Sequence, residues 1–268
     1  MVDRLRDHFA AAGLPTSLDA TTIVNRVAER AGVPTDWVVL QERHVAMAFQ
    51  EVLFGELPPE RRAAVLERAF ATPPSSSADD PVAVQGEIRA RLLKAGGPAF
   101  VDETALAYED ARGVIVELDG IPAYPTLADG ASPVCPFEDP PDALADRLVD
   151  MGFGIAELIP GRNDPAVVDA YARAFRSAGI AVTAGTEHNT VERIPIRPVG
   201  RGDAPLSSYA DEVFYEGACV IVGHQHERRL GRAGFVDREG RPGSPDREAL
   251  IRRFAAIGAA HLAGGRAS

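Results

Sequence analysis

Apolar positions recur at helical spacing through the first hundred residues of the chain, then give way to short apolar runs separated by amphipathic stretches. Leu5, Phe9 and Leu14 open the first amphipathic segment. Residues 21–31 carry Ile23, Val24 and Val27 on one face and stop at Gly32, a residue suited to a helix C-cap. Residues 39–53 predict a longer helix with Val45, Ala46, Ala48 and Phe49 on its apolar side, and His44 is read as a helix-packing residue. Pro58-Pro59-Glu60 starts a fourth helix that runs to residue 70, with proline in the first turn. Residues 72–80 (TPPSSSADD) read as a loop, and residues 82–94 as one more helix closed by Gly96-Gly97-Pro98.

After residue 100 the pattern changes. Residues 121–124, 154–159, 180–184 and 219–222 read as short strands, and residues 142–151, 165–178, 207–215 and 246–262 as helices. Residues 102–119 fit either a strand at Val114-Ile-Val-Glu-Leu118 or a helix. Strands alternating with helices of this length predict βαβ units and a parallel sheet, hence an α/β fold. Four strands are too few for a complete eight-stranded barrel. The expected division is a helical subdomain over residues 1–100 and an α/β portion over residues 101–268.

The chemistry collects where those strands end. The first leads to Asp129, the second contains Glu157 and leads to Arg162 and Asn163, the third opens through Gly185 onto Glu187-His188-Asn189, and the fourth onto His224-Gln225-His226. In a parallel sheet these segments share the edge at which ligands bind. Carboxylate and imidazole together suit zinc, manganese or iron, and a bound metal turns water into a nucleophile near neutral pH. Each group also has a plain structural reading. Glu187 can cap a helix, His224 and His226 can lie in a solvated turn, and Asp129 can close an Asx-turn. No glycine-rich phosphate loop and no GxSxG elbow occurs.

Composition narrows the partners. The 268 residues carry a formal net charge of −11, which disfavours sequence-independent binding to nucleic acid or anionic lipid. The two cysteines, Cys135 and Cys219, lack metal-knuckle spacing and suit a reducing compartment. Neither a signal peptide nor a membrane-length apolar run is evident, so the expected location is the cytoplasm and the expected ligand a small molecule.

The order of several motifs resembles the polymerase and histidinol phosphatase (PHP) superfamily over roughly residues 35–195. Glu42-Arg43-His44-Val45-Ala46 and Gly97-Pro98-Ala99-Phe100-Val101 are similar to two signatures of its helical insertion. Gly120-Ile-Pro-Ala-Tyr-Pro125, Gly154-Ile-Ala-Glu157 and Gly185-Thr-Glu-His188 stand where that family has three barrel strands. The resemblance implies the C-terminal part of a distorted (β/α)7 TIM-like barrel, a helix over residues 103–118, and a metal-dependent hydrolase acting on phosphate esters. It implies a divalent zinc, manganese or iron ion held by Glu187, His188 and Glu157, with Arg162 positioning the anion and His224 adding a ligand or a proton-transfer group. The chain also departs from the family. Tyr124 stands in place of a metal histidine, and the His-x-His and Asp-His motifs that open the barrel are absent from the chain. The helical segment comes almost at the start, so an incomplete or divergent member is expected, and exposed strand edges point to a homo-oligomer. Two alternatives stand beside this reading: a non-catalytic binding or assembly relic of the same fold, and an amidohydrolase- or isomerase-type barrel with another substrate.

Overall fold

The computed structural model describes residues 1–102, 105–187 and 196–264. The chain divides into two units, Met1–Ala105 and Leu106–Ser268, against an expected boundary at residue 100.

In the first unit local signals set the helix limits. Helix α1 (Val2–Ala11) is followed by α2 (Ala20–Ala31), where the Asp19 carboxylate accepts from the Thr22 amide at 2.7 Å and Gly32 ends the helix in the left-handed conformation. Helix α3 (Glu42–Glu56) begins with the Gln41 amide donating to His44 Nδ1 at 3.2 Å, so His44 serves the helix start. Helix α4 (Pro59–Phe70) starts on proline, and α5 (Pro81–Ile88) is capped by Asp80, which accepts from the Val82 and Ala83 amides. The single helix expected over residues 82–94 is instead α5 followed by a wider π turn at Arg89–Leu93, closed by the Lys94 amide on the Arg89 carbonyl at 3.2 Å. The apolar faces meet in one core containing Leu5, Phe9, Ile23, Phe49, Leu53, Leu66 and Ile88, with the Phe9 and Phe49 rings stacked at 5.5 Å.

The second unit is an α-rich α/β fold around a small parallel sheet. Helix α6 (Tyr108–Glu117) precedes strand β1 (Ala123–Thr126), then come α7 (Pro141–Asp150), β2 (Ile155–Leu158), α8 (Pro165–Ser177), β3 (Ala181–Ala184), α9 (Ser208–Arg229) and α10 (Arg247–Gly264). The described strands form one open sheet in the order β1-β2-β3, with Pro125, Glu157 and Thr183 in register across it. Alternation along the strands sorts the faces. Ala156, Leu158 and Val182 pack with Leu144, Leu148, Val168 and Phe175 of α7 and α8. Ile155 and Ala181 pack with Val220, Phe235, Ile251 and Phe254.

One open alternative is decided here and one sequence expectation is corrected. Residues 114–118 are not a strand: Val114–Glu117 belong to α6. The strand expected at residues 219–222 lies inside α9, a continuous helix of 22 residues. Its buried positions Val213, Gly217, Val220, His224 and Glu227 alternate at intervals of four and three, the stripe of a half-buried helix. The four consecutive apolar residues Cys219-Val-Ile-Val222 concealed that stripe. Among the described residues no helix is long and apolar enough to cross a membrane.

Candidate site at the strand ends

Glu157 reaches the site because β2 alternates. Its neighbours Ala156 and Leu158 are buried against α7 and α8, so the Glu157 side chain is delivered to the other face, beside Thr183 of β3. A cavity of about 550 Å³ lies there, with Glu157, Thr183 and Thr186 on the strand side and Asp211, Phe214 and Tyr215 on the α9 side. A smaller cavity of about 130 Å³ shares Glu157 and Thr183 and extends to Asp119, His224 and Gln225. The Glu157 carboxyl therefore stands between two spaces.

Leaving β3, the Gly185 amide donates to the Leu158 carbonyl at 2.8 Å. A Cβ at residue 185 would lie 2.5 Å from Glu157 Oε1, so glycine is what lets the chain pass the carboxylate. Two residues on, Glu187 adopts φ +48°, a left-handed conformation uncommon outside glycine. Its carboxylate forms an ion pair with Arg162, which ends the short 3-10 turn Pro160–Arg162 after β2. Burial, and secondarily the Glu187 charge, push the Glu157 carboxyl above its ordinary range. Below that raised value Glu157 holds a proton in the folded chain. Between it and the ordinary value near 4.5, acidification favours the folded state through this group.

The expected site residues divide into those the structure brings together and those it does not. Glu157, Glu187 and Arg162 meet at the ends of β2 and β3. His188 and Asn189 lie outside the described residues. His224 does not stand at a strand end. It sits at 3% exposure within α9, its Nε2 on the Asp119 carbonyl at 3.1 Å and its Nδ1 accepting from the Phe235 amide at 3.0 Å. With both ring nitrogens engaged, His224 has no lone pair left for a metal or a substrate proton. His226, on another face of α9, places its ring 4.8 Å from that of His261. Asp129 is an architectural acceptor that takes bonds from the Asn163 side chain at 2.8 Å and the Asp164 amide at 3.2 Å and pairs with Arg201 at 3.0 Å. Tyr124, at the position of a histidine in the family pattern, donates to Glu138 at 3.2 Å, and burial pushes its phenol up.

Thr183, Asp211 and Tyr215 were missed from sequence. Asn163, read at the end of the second strand, is fully buried, and its amide also donates to the Leu127 carbonyl at 2.7 Å. Thr183 was open to detection, since it stands two residues before Gly185 on the face of the strand that alternation gives to Glu157. Asp211 and Tyr215 were not, because their approach to the strands depends on how α9 packs.

Among the described residues no group of three or more His, Cys, Asp or Glu side chains could hold a metal ion. The described donors at the strand ends are the carboxylates of Glu157 and Glu187. Hard divalent ions such as manganese prefer oxygen donors, but two carboxylates fall short of such a group. Compared with models of protein families, with curated protein sequences and with solved structures, the chain shows no match.

Proposed function

We propose that the cleft at the C-terminal ends of β2 and β3 is the active site of a cytoplasmic, metal-dependent hydrolase of the PHP type acting on a small phosphate ester, with the three-stranded sheet as part of a distorted (β/α)7 barrel. The observation that carries this reading is the Glu157–Glu187 pair: two carboxylates near enough for one to raise the pKa of the other, with a guanidinium beside them at a strand end. A divalent cation held there by Glu157 and Glu187 would relieve the repulsion between like charges. Such an ion supplies an activated water and charge neutralisation at phosphorus. Arg162 is half-exposed and can exchange Glu187 for a phosphate oxygen, for which its planar fork is suited. Phe214 and Tyr215 offer an apolar wall to the alcohol portion of the ester.

The test combines metal content with turnover. Wild-type protein loaded with manganese should retain about one equivalent after gel filtration and hydrolyse p-nitrophenyl phosphate, while Glu157→Gln/Glu187→Gln should lose both. Arg162→Met should keep the metal and lose turnover by about 10²–10³-fold, the usual cost of removing one charged group from developing transition-state charge. Equal metal retention by wild type and the double variant, or no turnover by metal-loaded wild type, overturns the proposal. A second reading, a non-catalytic relic of the same fold, is favoured by Tyr124, which stands in place of a ligand and is committed to Glu138. Metal retention without turnover of any phosphate ester would support it.

A further inference from the structure

His224 joins three elements that are distant in sequence. From α9 its ring reaches the turn between α6 and β1 through the Asp119 carbonyl, and the segment after α9 through the Phe235 amide. A carbonyl only accepts and an amide N–H only donates, so the pattern requires a neutral imidazole with its proton on Nε2. The segment over residues 231–243 lies directly on the ring: a Cβ at Gly234 would be 2.5 Å from Nδ1. Beyond that point Phe235 is 1% exposed and packs with Phe254, and the Val236–Pro242 bridge folds the segment back on itself. A cavity of about 290 Å³ beside the imidazole is lined by Asp119, Arg228, Asp237 and Arg238.

We propose that His224 is a pH-sensitive latch: its neutral ring holds the 231–243 segment closed, and protonation of Nδ1 releases that segment. A proton on Nδ1 would face the Phe235 N–H, replacing an accepted hydrogen bond with two opposed donors. The charges facing the ring do little to rescue the cation. Asp119 contributes its carbonyl, but its carboxylate is taken by Arg228 Nε at 2.8 Å. From the segment itself Asp237 and Arg238 line the cavity with opposite charges. From β2, Glu157 shares the smaller cavity with His224, and burial pushes its carboxyl up, toward the neutral form. Helix α10 meets this part of α9 through Phe254 and Gly258, and its Arg253 pairs with Glu227. Burial, with a smaller contribution from Arg228, outweighs Asp119 and holds the imidazole below its ordinary range.

The sign follows from linkage. At pH above the ordinary histidine value of about 6.5 the latch is neutral in both closed and open forms and its full stability is present. Below that value the open form gains a proton that the closed form refuses. Opening therefore becomes up to about tenfold more favourable per pH unit until the closed imidazole itself titrates.

Hydrogen exchange of the full chain tests the latch. After correction for intrinsic rates, protection of residues 231–243 in wild type should fall between pH 7.5 and 5. In His224→Asn, whose side-chain oxygen can still accept from Phe235, it should stay level. Wild-type protection that does not change with pH, or an unaltered pH dependence in the variant, overturns the proposal. Should the variant fail to fold, an NMR titration of wild-type His224 decides. The latch requires an Nε2-protonated tautomer titrating below free histidine, and titration at or above the free value overturns it.

Discussion

Thr126, the last residue of β1, is completely buried, yet its hydroxyl has no hydrogen-bond partner among the described residues. A buried hydroxyl without a partner loses its water and gains nothing in return, whereas an isosteric methyl would gain from burial. Thr126→Val should therefore raise the unfolding free energy by about 1 kcal/mol in urea titration, and a loss of that size would show that the hydroxyl is engaged. At this scale the sequence was legible for side chains whose direction strand alternation dictates, as with Glu157. It was not legible for Arg162, whose ion pair with Glu187 joins residues 25 positions apart through two irregular turns. His224 looked like a free imidazole in a polar run. Its role is set by a carbonyl at residue 119 and an amide at residue 235, neither of which leaves a mark on the residues around it.

Helix α9 is the element on which the reading and the structure diverged most. Its start at Ser207, which caps the helix by accepting from the Ala210 amide at 3.1 Å, was legible as local chemistry. Its continuation past residue 215 was not, because a run of four apolar residues satisfies a buried strand and a buried helix equally. The partner α10 resolves the choice. The two helices approach so closely that a Cβ at Gly258 would lie 1.9 Å from the Cys219 carbonyl oxygen. Gly258→Ala should destabilise the protein by about 1–3 kcal/mol in chemical denaturation, the range for overpacking a close contact. Gly86→Ala, in α5, meets nothing within 4 Å and should stabilise by about 1 kcal/mol through helix propensity alone. Similar effects at both positions would refute the assigned packing of α9 on α10.

At the scale of the whole molecule each unit owns its core. The cluster built on Phe9, Phe49 and Leu66 draws only on residues 2–99, and the two clusters around the sheet draw only on residues of the second unit. A fragment comprising residues 1–105 should thus keep a helical circular dichroism spectrum and unfold cooperatively in urea, with a slope of about 1 kcal/mol/M for a domain of this size. A broad, non-cooperative transition would show that the helical unit depends on the rest of the chain.

The sequence by itself determined the alternation of helices and strands, three of the strand cores, and the helix limits marked by Gly32 and Pro59. These features are local, because a cap or a turn acts on backbone groups within four residues of itself. The sequence also singled out the exit through Gly185, where β3 ends beside Glu157. Only the tertiary structure decided that α9 runs through the expected fourth strand, that Glu187 faces Arg162, and that His224 is enclosed. Those outcomes rest on burial and ion pairing between segments far apart in the chain, which periodicity within any one segment does not encode.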